Sequence, residues 1–183
     1  MSWWTAADGG AQDWPKRRAV AQFLSAFHYN HSALLYKSGA AGLVQRAAET
    51  LLRDPQAEVR EQAKSLLQGL LAAAVPSEAA FVPLRDRYVK LARVTGDAPR
   101  RRAGVLALAA LVLAFPYQVP RFLPPALVEL ARNVAADNGP VAKAALSEFR
   151  RTHQDDWAEH KRAFDPEQLG EIDGVLVSPD YYA

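Results

Sequence analysis

Four places in the chain carry residue types whose spacing could do chemistry. His28 and His31 lie three residues apart, a spacing that lets two imidazoles on one helix share a metal ion. No carboxylate follows them at a matching interval, so a packed aromatic face is the plainer reading. His153, Asp155, Asp156, Glu159 and His160 form a denser cluster, in which Asp156 and His160 stand four apart on one helical face. Metal binding or acid–base work would use such a set, yet no nucleophile or substrate cradle accompanies it. GxSxG, HExxH and Gly-rich phosphate-loop patterns do not occur in the sequence. The expectation is a non-enzyme with no catalytic residue, no metal site and no cofactor. Arg100, Arg101 and Arg102 are the third place, with Arg85, Arg87, Lys90 and Arg93 just upstream. A basic cluster before a helix suits phosphate or an acidic surface. It equally suits a solvated helix start, slightly unfavourable against the helix dipole. No aromatic residue interleaves the run, so stacking on single-stranded nucleic acid is not supported.

The fourth place is the end of the chain, Leu176-Val177-Ser178-Pro179-Asp180-Tyr181-Tyr182-Ala183. Tyrosine combines an apolar ring with a polar hydroxyl and orders at low entropy cost, so Tyr181 and Tyr182 suit an interface pocket. Pro179 ends a preceding helix and stiffens the exit, which lowers the entropy lost on docking. A free carboxylate on Ala183 can be captured by a lysine or by backbone N–H groups. The bland alternative is a frayed terminus with two incidental tyrosines.

The elements that would position these groups are helical. After a lead-in over residues 1–12, expected to be disordered, Pro15 opens a helix to about Tyr36 in which Val20, Phe23, Leu24, Phe27, His31, Leu34 and Leu35 recur at helical spacing. A second helix spans about Ala41 to Arg53, with Leu43, Val44, Ala47, Thr50 and Leu51 on one face. Asp54-Pro55 then opens a third, Asp54 as cap, with Val59, Ala63, Leu66, Leu67 and Leu70 as its buried stripe. Pro83 is expected to break any helix started at Ser77, so the next runs from about Pro83 to Val94. Thr95 to Pro99 is a turn, and the arginine run leads into an apolar helix ending at Phe115. Further helices start at Pro124-Pro125, at Pro140 and from about Gln154. The last opens on Asp165-Pro166-Glu167-Gln168, which resembles a capping box. Helix pairs recur roughly every 40 residues, the period of HEAT and armadillo repeats. The fold class is therefore all-α, a HEAT/armadillo-like α-solenoid segment over 13–176, with residues 177–183 as a tail. A solenoid needs polar terminal caps and none is evident, so the N-terminal end should expose an apolar face.

Composition agrees. Hydrophobic residues make up 50% and charged residues 23%, a globular balance, and cysteine is absent, which removes disulfides and thiol chemistry. A formal charge of +2 is too small to argue for nucleic acid. The most apolar stretch, Ala103 to Phe115, is too short to span a bilayer, so no membrane partner is expected.

Tyr181-Tyr182-Ala183 fits the hydrophobic–tyrosine–any-residue ending of proteasome activators. With Leu146 to His153, Trp157, His160, Lys161, Leu176 to Pro179, Arg102 to Leu106 and Pro116-Tyr117, it resembles the C-terminal end of the proteasome activator complex subunit 4 family, the large single-chain HEAT-repeat activators. That resemblance implies an ATP-independent activator docking on the outer α-ring of the proteasome core particle. The tail, with Pro179, would insert between ring subunits to help open the gate. It also implies location in nucleus and cytoplasm, a link to DNA repair, binding of acetylated histones, and inositol-phosphate sites that cannot be placed on particular residues. Where the family's acetyl-lysine-holding Asn would fall, this chain has Ala72-Ala73-Ala74-Val75, so weak acetyl-lysine preference is expected.

Overall fold

The computed structural model describes residues 13–74 and 78–176. Among them lie nine α-helices and no strand: α1 Trp14–Lys37, α2 Ala41–Leu51, α3 Ala57–Ala73, α4 Glu78–Ala92, α5 Ala98–Leu113, α6 Pro124–Arg132, α7 Gly139–His153, α8 Trp157–His160 and α9 Pro166–Leu176, with a 3-10 turn at Lys161–Ala163. Proline stands in the first turn of α1, α5, α6 and α7 and at the first residue of α9. Its missing N–H would lack a helical partner there in any case. The lead-in, Val75-Pro76-Ser77 and the tail residues 177–183 lie outside the described residues.

The chain is an all-α, solenoid-like stack of two layers. One row runs α1, α3, α5, α7, each helix packed on the next. The other holds α2, α4 and α6, packed respectively on α3, on α5, and on both α5 and α7; α9 closes on α6 and α7. Polar links between successive helices within each row repeat the sequence period. Arg17 pairs with Asp54 and Gln62 with Ser25, each 37 residues apart, Arg87 with Glu49 at 38, Arg93 with Glu129 at 36 and Arg132 with Glu171 at 39.

The core gathers on α5, where every residue from Ala103 to Val112 is buried because α3, α4, α6 and α7 enclose it. Gly104 makes that possible: a Cβ there would stand 2.3 Å from the Ala92 amide nitrogen and 2.5 Å from the Leu91 carbonyl carbon. At the far end of α5, Phe81 stacks on Phe122 with ring centres 4.7 Å apart, and Phe115 meets both rings edge-on. The α3 stripe is as expected, with Val59, Ala63, Leu66, Leu67 and Leu70 all buried.

Several local expectations need correction. Pro83 lies inside α4, which starts at Glu78 rather than at Pro83. It falls in the second turn at an exposed position, where the carbonyl left without a helical donor is open to solvent, and Phe81 pins the first turn to the core. Asp54 does not cap α3, whose N-cap residue is Gln56. Instead the Gln56 amide donates to Asp54 Oδ1 (2.9 Å), and the buried carboxylate holds Arg17. The apolar positions of α1 divide. Leu35 is buried and Leu24 half-buried, but Val20, Phe23 and Leu34 are 49%, 66% and 61% exposed. Arg17, Ala21 and His28 take the inward face in their place. Among the described residues, α1 thus presents apolar side chains to solvent. The region after Gln154 forms the short α8 and the 3-10 turn in place of a longer helix.

Candidate partner-docking site

The tail leaves from α9, so what fixes α9 sets where Pro179, Tyr181, Tyr182 and Ala183 begin; those four residues lie outside the described residues. Asp165 and Gln168 form the anticipated capping box. The Gln168 amide donates to Asp165 Oδ1 (2.8 Å), and the Asp165 amide donates to Gln168 Oε1 (3.1 Å). Two orphan donors are thereby satisfied at the helix start. Ile172 is fully buried and Leu169 packs against the core beside it. On the outer side Arg132 Nη2 donates to Glu171 Oε1 (2.8 Å), and this bond holds the Glu171 carboxyl below its ordinary value. Apolar burial and one ion pair thus tie α9 to α6.

Around α7 the aromatic residues build a second support. His153 is stacked on Phe149 with ring centres 4.0 Å apart, and Trp157 meets Phe149 edge-on. His153 Nδ1 lies 2.8 Å from the Phe149 carbonyl oxygen, and Nε2 lies 3.2 Å from that of Gln118. The ring pins the loop after α5 to the end of α7, and burial pushes its pKa below the ordinary imidazole value. His160 sits 4.9 Å from His153, ring centre to ring centre. Among the described residues no group of three or more His, Cys, Asp or Glu could hold a metal ion. His28 is buried in α1 near Gly69, whereas His31 is exposed and packs on Phe27; the two rings do not converge as ligands.

The arginine run falls inside the first turns of α5, whose cap is Asp97, the acceptor of the Arg100 amide (2.9 Å). Successive residues on a helix point about 100° apart, so the three guanidiniums fan out. Arg101 donates twice to Asn133 Oδ1, at 3.3 and 3.0 Å, as part of an Arg93–Glu129–Asn133–Arg101 network. Arg100 lines a cavity of about 210 Å³ with Arg53, Arg87, Glu49 and Tyr88. Glu49 accepts from the Tyr88 hydroxyl (2.6 Å) and from Arg87 Nη2 (2.6 Å) there, and burial pushes the Tyr88 phenol well above its ordinary value. Sequence reasoning missed Glu49 and Glu129 as hubs. The only signal was an acidic residue on an otherwise apolar face.

An open groove of about 610 Å³ runs between α1, α2 and α3, lined by Tyr36, Gln45, Leu70 and Ala73 among others. The Tyr36 hydroxyl donates to the Leu70 carbonyl (2.5 Å) and the Gln45 amide to Glu49 (2.9 Å). Ala72 and Ala73 offer no side-chain donor.

A family model described as the C-terminal region of proteasome activator complex subunit 4-like proteins matches residues 98–183, which takes in α5 to α9 and the tail. The chain belongs to the proteasome activator complex subunit 4 family. It is 36% identical to proteasome activator complex subunit 4A of Danio rerio over 94% of its own length. It is 33% identical to subunit 4 of Homo sapiens over 94%, and 32% identical to proteasome activator subunit 4 of Arabidopsis thaliana over 93%. It spans about one-tenth of the length of these relatives, 10% of each. The Arg102–Leu106 segment that carries part of this likeness contains Gly104, whose missing side chain admits α4.

Proposed function

We propose that this chain acts as the C-terminal part of a proteasome activator. The helical stack binds the proteasome core particle, on its outer α-ring, and the tail Tyr181-Tyr182-Ala183 opens the gate. The observation that carries the reading is the family match over α5 to the end of the chain, with a hydrophobic–Tyr–X ending four residues beyond a capped and anchored helix. Tyr182 would place its ring in an apolar cleft and the Ala183 carboxylate would pair with a lysine, a pairing strengthened by desolvation. Tyr181 would pack at the rim, and Pro179 would set the exit angle. Three residues cannot by themselves offset the several kcal/mol of freedom lost on docking. Affinity therefore comes mainly from the body, with the tail as a tethered second site.

Co-sedimentation with purified core particles and fluorogenic peptide hydrolysis, run side by side, test this. Deleting Tyr181–Ala183 should abolish stimulation more completely than it abolishes binding, and one residue added after Ala183 should mimic the deletion. Full stimulation by the extended chain would sink the carboxylate mechanism.

Acetylated histone tails are a weaker expectation, since the groove beside Ala73 has its Tyr36 hydroxyl and Gln45 amide already engaged. Little preference for acetylated over unmodified peptide should appear in a titration. Phosphate binding at Arg53, Arg87 and Arg100 is the alternative that the cavity favours, and a steep salt dependence of inositol-phosphate binding would reveal it.

A further inference from the structure

We propose that the groove between α1, α2 and α3 holds an acidic, apolar peptide segment of a partner protein, with its aliphatic side chains in the groove and a carboxylate on Arg46. Neither α9 nor the tail takes part in this site. The groove's volume of about 610 Å³ falls in the range of ligand sites, about 300–1,000 Å³. Three short stretches contribute its walls: residues 32–36 of α1, 41–45 of α2 and 70–74 at the end of α3. The first of them begins just past the backbone break at His31, where φ is −132° and ψ is 27°. Leu70, 3% exposed, supplies an apolar floor, and the Tyr36 hydroxyl on the Leu70 carbonyl holds α1 and α3 at a fixed spacing.

The break at His31 leaves a polar group beside the groove. Ser25 returns its hydroxyl to the Ala21 carbonyl four residues back (2.9 Å). Ser32, next to the break, makes no such bond among the described residues, and it lines the groove. A free hydroxyl both donates and accepts, so it can meet a peptide backbone of either polarity.

Charge selects the occupant. The three wall stretches contain no Asp, Glu, Lys or Arg. The charged residues that directly border them, Lys37 after the first and Arg46 after the second, are both cations and both exposed. Among the described residues neither has an ion-pair partner. Arg46 Nη1 reaches back over the groove wall, 3.6 Å from where a Cβ on Gly42 would stand. The one carboxylate of α2, Glu49, already accepts from Gln45, Arg87 and Tyr88. A partner's carboxylate therefore meets a guanidinium whose fork matches it, with no acid in the wall competing. A lysine-rich segment would meet two like charges at the same rim.

The test uses the 183-residue chain and, as probe, a fluorescein-labelled peptide of two central leucines with two glutamates on each side. Saturable binding by anisotropy is expected, with a Kd of about 10–100 μM that added salt raises. Arg46→Glu should weaken it about tenfold through the rim charge, and Ala33→Trp should weaken it as much by filling the groove mouth. Both positions are exposed, so both variants should keep the wild-type circular dichroism and Tm; if one unfolds, the other decides. A peptide with lysines in place of the glutamates should bind at least about tenfold more weakly, and so should a lysine-flanked peptide with acetyl-lysines in place of the leucines. Deleting Tyr181–Ala183 should leave the binding unchanged. Absence of binding up to about 1 mM, equal or tighter binding of either lysine-flanked peptide, binding indifferent to a folded variant, or binding lost with the tail overturns the proposal.

Discussion

Arg17 and Asp54 are each 6% exposed at the side chain and meet through two hydrogen bonds of 2.5 and 3.0 Å. Taking two charges out of water is expensive, and the pair repays it only while both members are present. Asp54→Ala alone should therefore cost about 3–5 kcal/mol by urea denaturation, while Arg17→Met with Asp54→Leu should cost far less. A double-mutant cycle without strong coupling would show that the pair is not what joins α1 to α3. The sequence made Asp54 conspicuous beside Pro55, but not its partner: the nearer Arg60 donates to the Asp54 and Pro55 carbonyl oxygens instead. Histidine supplies a second residue-scale expectation. Burial holds both His28 and His153 below the ordinary imidazole value of 6.5. The unfolded chain therefore takes up protons first as pH falls. The stability from keeping these rings neutral is full above about 6.5 and is lost as pH drops from there through the lower folded values. Thermal melts should fall between pH 7 and about 5, and a His28→Leu, His153→Gln chain should show a flatter profile over that window. The exposed carboxyls of Glu58, Glu148 and Glu171 are held below 4.5, so their contribution is lost only at lower pH.

Proline and capping-box signals marked several element starts, because they act on the backbone of a single turn, but Pro55 and Pro83 did not mark the starts of α3 and α4. The starts of α1, α7 and α9 and the whole buried stripe of α3 followed from sequence. Facing was less legible. Helix α1 has apolar residues on two adjacent sides, and only the position of α3 decides that Ala21, His28 and Leu35 turn inward. Of the candidate site, the α9 cap was readable, while the tail residues lie outside the described residues. The polar hubs Glu49 and Glu129 were not readable, because their partners lie 36 to 39 residues away. The α4–α5 contact gives a sharp test of close packing. Gly104→Ala would drive a Cβ into the α4 backbone, with no side chain free to move aside. It should cost about 1–3 kcal/mol, seen as a lower urea midpoint. For α9, Asp165→Ala should remove the cap and cost about 1 kcal/mol locally. Faster amide exchange in Pro166–Leu176, with α5 unchanged, is the expected signature; uniform loss across the chain would mean that α9 is not a separate unit.

At the scale of the whole molecule, a stack in which each helix touches mainly its neighbours does not have one stability. Each pair adds its own packing and the interface to the next, so the ends open before the middle. The order of opening follows from burial. Helix α5 is enclosed by four helices and buried at ten successive positions, so its amides can exchange only when most of the stack has opened. Helix α1 buries four residues over 24, two of them Arg17 and His28, and is held chiefly by α3. Amide exchange should therefore be fastest in α1, intermediate in α9, which has the capping box and the Arg132–Glu171 pair, and slowest in α5. The Arg17–Asp54 pair makes this order a test of connectivity as well. Asp54→Ala should release α1 and loosen the start of α3 while leaving exchange in α5 to α7 near wild type. Simultaneous loss of protection in all helices would show that the chain behaves as one cooperative core.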